Sequence, residues 1–95
     1  MRALSEINAD IAVLGTSGFN GRQGPCVENF EEAEIKKAMI SSANKIIILG
    51  DSSKAKTHSM IEFAKWEVAD AFITDDNIDS DTLKNIKEKT QVITV

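Results

Sequence analysis

Three short apolar runs constrain this chain most: Ile11-Ala12-Val13-Leu14, Ile46-Ile47-Ile48-Leu49 and Ala71-Phe72-Ile73. None shows the polar alternation of a strand with one wet face, and each is bounded too closely to be a helix. Such runs suit parallel strands covered on both faces. Between the first two lies a helical pattern at residues 30–43. Asn29 is a good N-cap, and Glu32 three residues on gives a capping-box-like start. Glu28, Glu31 and Glu32 lie where the helix dipole favours anions, and Glu32 and Lys36 are spaced for an i,i+4 pair. Phe30, Ala33, Ala38 and Met39 are expected to face a core, with Ile35 and Ile40 widening the stripe. Strand, helix and strand together read as a right-handed crossover between parallel strands. Residues 59–66 fit either a strand or a helix and are read here as a strand. Asp79 or Ser80 caps a last helix over 81–89, and residues 91–95 form a final strand. Residues 3–8 read as the last turns of a further helix. The expected fold is α/β: a mostly parallel sheet of four strands with flanking helices.

The second apolar run ends at Gly50 and is followed directly by Asp51, Ser52, Ser53 and Lys54. In open α/β sheets, ligands bind just beyond the carboxyl ends of the strands. Two hydroxyls beside a lysine suit a phosphate oxygen better than a metal or a base. A competing reading makes Asp51 and the serines a simple turn with Lys54 solvated; both stand open on the residues alone. The first run ends similarly, in Gly15, Thr16, Ser17 and Gly18. These open a loop to Cys26 that holds four of the five glycines and the single proline. Two adjacent strands would bring both polar clusters to one edge, lining one pocket. Gly15 and Gly18 would let a ligand approach the backbone; the alternative is a mobile surface loop. The glycine spacing matches neither the Walker phosphate loop nor the dinucleotide fingerprint, and no cofactor is expected.

Ninety-five residues make one domain at most. The net charge of −4, with both signs interspersed, argues against direct nucleic-acid contact by this segment, which would normally carry a basic patch. The longest apolar run is four residues, against the ~20 needed to span a membrane, and no signal-peptide pattern is present. With Cys26 as the one cysteine, a reducing cytoplasm is the simpler setting. His58 is alone, which argues against a zinc site within the chain. Cys26 has no accompanying base motif that marks a nucleophile. No catalytic residue and no metal ligand is assigned.

Four blocks in order, residues 9–20, 32–40, 46–54 and 72–75, resemble the C-terminal effector domain of DeoR/GlpR-type bacterial transcription regulators. There the pattern is an Asp-opened strand ending in Gly-x-x-Gly and a helix carrying Lys-x-Ala-Met-Ile. A strand running into Asp-Ser-Ser-Lys and an Ile-Thr-Asp strand end complete it. The resemblance covers nearly the whole chain. It implies a fold related to ribose-5-phosphate isomerase, a phosphorylated sugar or sugar-derived metabolite as ligand, an N-terminal helix-turn-helix that contacts DNA, and an oligomeric repressor. On this reading residues 1–95 are the C-terminal portion of one effector-binding domain, and the helix-turn-helix and the first part of that domain are absent.

Isomerases of that fold carry Asp-Gly-Ala-Asp-Glu after the matching strand, where this chain reads Leu14-Gly15-Thr16-Ser17-Gly18. Their proton-abstracting glutamate falls near Lys36. Isomerisation needs a general base in reach of the C–H proton, so the resemblance implies retained ligand affinity without proton chemistry. The expected function is effector sensing in a repressor of sugar metabolism. The alternatives are a sugar-phosphate isomerase of the same fold and a small stand-alone interaction domain of response-regulator type. Half a sheet exposes edges and an uncovered face, so extensive apolar packing or self-association is also expected.

Overall fold

The structure is a computed structural model that describes residues 9–95; the helical turns expected at residues 3–8 lie outside these. In chain order, β1 (Ala9–Gly15) is followed by a loop, β2 (Cys26–Val27), α1 (Phe30–Ser42) and β3 (Ala43–Leu49). A 3₁₀ turn at Ser52–Lys56, β4 (Ile61–Glu62) and a second 3₁₀ turn at Trp66–Val68 lead to β5 (Ala71–Thr74). The chain ends with α2 (Ser80–Lys87) and β6 (Gln91–Thr94). β1, β3, β5 and β6 make one sheet in that order with every pair parallel, as the apolar runs imply. β2 and β4 pair antiparallel in a separate two-stranded ribbon.

The helix signals act as read from the sequence. The Asn29 side chain accepts from Glu32 N at 2.8 Å, and the Asp79 carboxylate accepts from Thr82 N at 3.0 Å. Two details of α1 differ. Glu32 and Lys36 form no ion pair; the Lys36 ammonium lies 5.6 Å from the centroid of the Phe63 ring instead. Phe30 and Ile35 are exposed, because the inward stripe of α1 is narrower than expected: Ala33 is buried, and Met39 and Ile40 pack partly against the core. Residues 59–66 are a strand at two positions only. Those pair with β2, and Trp66 turns away in a 3₁₀ step to enter the core.

The expectation that the strands are covered on both faces is corrected. The strand order advances in one direction, and right-handed crossovers then place every connection on the same face. Ala12, Leu14, Ile46, Ile48 and Phe72 are buried on that face. On the other face Ile11 and Val13 are each 52% exposed, Ile93 is 41% and Leu49 40%. The apolar runs lack alternation because both faces are apolar, while the described residues cover only one. No helix among them is long and apolar enough to cross a membrane.

The loop from Gly15 to Cys26 is built into the covered side. Gly18 pairs with Cys26, Phe19 N donates to Lys54 O at 3.0 Å, and Asn20 N donates to Thr57 O at 3.1 Å. The Arg22 guanidinium donates to Ser59 O at 3.1 Å and Met60 O at 3.3 Å. Phe19 sits edge-on to Trp66, with centroids 5.1 Å apart and planes at 87°, and edge-on to Phe72 at 5.6 Å. Such edge-to-face pairs add stability beyond the area they bury. Gly24 is the tightest point: a Cβ there would lie 1.8 Å from Ala64 O.

Candidate functional site

The ends of β1 and β3 are neighbours in the sheet, so the two polar clusters do meet at its carboxyl edge. Gly50 marks the meeting point. A Cβ there would lie 2.9 Å from Thr16 Cγ2, 3.5 Å from the Phe72 ring and 3.7 Å from Lys54 Cγ. A side chain at this position would have to displace the Thr16 methyl.

The residues after Gly50 form a rigid turn. Asp51 caps it: its Oδ1 accepts from Ser53 N at 2.9 Å and from the Ser53 hydroxyl in a very short contact. Ser52 N donates to Asp75 Oδ1 at 2.6 Å, which ties the turn to the end of β5. The Thr57 hydroxyl closes the turn on Ser53 O at 2.8 Å. These bonds hold two carboxyls below the usual 3.8. For Asp51 the Ser53 hydroxyl is the main cause, with the Ser53 amide and the nearby Lys54 charge assisting. For Asp75 the main cause is the Ser52 amide. Asp51 and Ser53 are thus occupied in making the turn, as the turn reading supposes. Lys54 differs from them. It is half-buried, its carbonyl anchors Phe19 N, and its ammonium has no ion pair within 4 Å among the described residues.

The end of β1 has a different character. Thr16 is buried, and its hydroxyl donates to Cys26 O at 2.9 Å while accepting from Cys26 N at 3.0 Å and Gly18 N at 3.3 Å. Ser17 N donates to Cys26 O at 2.9 Å, and the Ser17 side chain is half-buried. Gly15 is exposed, and Gly18 is buried against the loop. The clusters open onto separate hollows rather than one pocket. Gly15, Thr16 and Ser17 line a cavity of about 400 Å³ with Lys36 and Met39 of α1. Gly50 and Asp51 line one of about 230 Å³ with Thr74, Asp75 and Val95. Lys54 lines neither, although it stands next to Gly50 between them.

Other groups have structural surroundings. Cys26 is buried in the β2–β4 ribbon, and desolvation raises its thiol pKa, which disfavours the nucleophilic thiolate. His58 is exposed, with Nε2 3.4 Å from the Asn20 amide. Among the described residues, no group of three or more metal-ligating side chains comes together. The sequence reading missed the Arg22 clamp and the Asp70 carboxylate, which accepts from Ile46 N at 2.7 Å. An arginine within a long loop was the available signal for the first.

Residues 1–76 match the family described as the DeoR C terminal sensor domain. The chain belongs to that family. It is 33% identical over 84 residues to the HTH-type transcriptional regulator GlpR of Haloferax volcanii, covering 88% of this chain and 33% of that protein. It is 32% identical over 72 residues to the HTH-type transcriptional repressor GlcR of Bacillus subtilis, covering 76% of this chain and 28% of that protein. The putative aga operon transcriptional repressor of Escherichia coli O157:H7 is 26% identical over 87 residues, 92% of this chain and 32% of that protein. The chain therefore spans about a third of the length of these regulators. Its parallel sheet agrees with the ribose-5-phosphate-isomerase-like fold of DeoR sensor domains.

Proposed function

We propose that this sensor domain binds a phosphorylated sugar or a sugar-derived metabolite beside Gly50, with the phosphate held by Lys54. The observation that carries this reading is the Lys54 ammonium. It has no ion-pair partner among the described residues, and it is held in a hydrogen-bonded turn at the carboxyl edge of a parallel sheet. A lysine serves phosphate as a compact charge, and here the charge has to carry the contact, since the amides of Ser52, Ser53 and Lys54 already donate within the turn and to Asp75. Asp51, Ser52 and Ser53 shape the turn, while Gly15 and Ser17 line the neighbouring hollow against α1. The reading is of a binding module and not an enzyme: residues 14–18 bring no carboxylate to the place where an isomerase needs its base.

In this proposal the 95 residues act as the C-terminal portion of an effector domain within a cytoplasmic, oligomeric repressor. DNA contact belongs to a helix-turn-helix elsewhere in that protein. Ligand binding lowers DNA affinity, and by linkage DNA weakens ligand affinity by the same factor. The apolar row of Ile11, Val13, Leu49 and Ile93 supports self-association of the chain studied alone. Sedimentation that finds a well-folded monomer at every concentration would count against this part.

A thermal-shift screen of the regulator against phosphorylated sugars tests the ligand class. The cognate compound at 100-fold above its Kd should add about 2.7 kcal/mol of stability. Turnover of ribose 5-phosphate above buffer background would instead establish the isomerase.

A further inference from the structure

A second cleft lies on the covered side of the sheet, lined by Ala55 but not by Lys54. It is bounded by loop residues 19–23 on one wall and, on the other, by Thr82 and Asn85 of α2 with Lys89 in the turn just past its end. Its volume is about 310 Å³, at the small end of the range for ligand pockets. The floor is rigid, since Phe19 and Trp66 are 3% and 2% exposed and lock edge to face.

The lining chemistry is one-sided. Arg22 and Lys89 bring two positive charges, Asn20, Gln23 and Asn85 bring amides, and no acidic residue lines the cleft in a chain whose net charge is −4. The Arg22 guanidinium is pre-positioned: one of its terminal nitrogens is clamped to Ser59 O and Met60 O, which leaves its other nitrogens to donate. Neither Arg22 nor Lys89 has an ion pair within 4 Å among the described residues, and the Asn85 amide has no hydrogen bond there. A fixed guanidinium and an ammonium on opposite walls, with amides between them, match the several acceptor oxygens of a compact oxyanion.

We propose that this cleft is a second ligand site that takes a small phosphate-bearing anion, held by Arg22 and Lys89 and oriented by Asn20 and Asn85. It is separate from the Lys54 site and stands whether or not that site binds sugar phosphates.

The test is an NMR titration of the ¹⁵N-labelled 95-residue chain with inorganic phosphate at constant ionic strength, with chloride as the control. Saturable shifts are expected at the Trp66 indole N–H and the Asn20 and Asn85 side-chain amides, and not with chloride. Asn85→Asp keeps the side-chain shape and puts a like charge in the cleft, so it should weaken phosphate at least about tenfold. Lys89→Met should do the same, and Lys54→Met should leave these shifts in place. Non-saturating shifts, equal shifts with chloride, or full binding by a folded Asn85→Asp chain would overturn the proposal. So would loss of the shifts in Lys54→Met, which would assign them to the other site.

Discussion

The ends of β1 and β3 look alike in sequence, each a glycine followed by polar residues with hydroxyls among them, yet the fold uses them differently. At the end of β1 the Thr16 hydroxyl bridges both backbone groups of Cys26, so it serves as an internal latch. At the end of β3 the hydroxyl and carboxylate groups build a turn that leaves a cation without an ion pair among the described residues. A polar residue past a strand therefore indicates a ligand site only when the backbone around it is satisfied without it. The β1 loop has few alternative partners because it crosses the core, where an unmet amide costs about 1–3 kcal/mol. The β3 turn satisfies itself through Asp51 and Asp75, and Lys54 is left over.

The largest effect that would sharpen this contrast is at Gly24, which fixes the far end of the β1 loop. Gly24→Ala places a methyl against Ala64 O and should cost about 3 kcal/mol, seen as a large drop in the urea midpoint. Near-wild-type stability would mean the loop is looser than the fold implies. Thr16→Val keeps the shape and leaves Cys26 N without its partner, for an expected loss of about 2 kcal/mol. Thr16→Ser should recover most of it. If Thr16→Val instead weakened a ligand without loss of stability, the latch and the turn would have to exchange roles.

A smaller effect concerns pH. Asp51 and Asp75 titrate below 3.8 in the folded chain, so their contribution to stability is complete at neutral pH. It is lost as pH falls below about 4 and through the lowered folded values. Carboxyl titration by NMR should show both groups still ionised at a pH where an unfolded aspartate is already half protonated. Asp51→Asn should flatten the acid limb of the stability profile, whereas Thr16→Val should leave its shape unchanged.

Much of the fold was legible in the sequence. The unalternating runs of β1, β3 and β5, around Ala12, Ile47 and Phe72, pointed to a parallel sheet, and Asn29 and Asp79 marked the helix starts. The bare face was not legible in the runs themselves, since a run apolar on both sides cannot say whether both covers are present; it was expected only through the resemblance, which implies half a sheet. Phe19 was hidden for another reason: four surrounding glycines suggest mobility, whereas the loop is held by the aromatic cluster and by close backbone contacts. For the site, the position of Lys54 followed from the end of an apolar run. The division of labour between Thr16 and Lys54 depends on partners ten residues or more away, such as Cys26 for Thr16 and Asp75 for the Ser52 turn.

The central claim is that Lys54 anchors the phosphate of the effector. Calorimetric titration of the regulator carrying Lys54→Met with its cognate sugar phosphate tests it most directly. Removing one charge-assisted contact worth roughly 1.5–3 kcal/mol should weaken binding about ten- to a hundredfold, with the melting temperature of the free protein unchanged. Unchanged affinity together with a lower melting temperature would show that Lys54 only braces the turn beside Asp51.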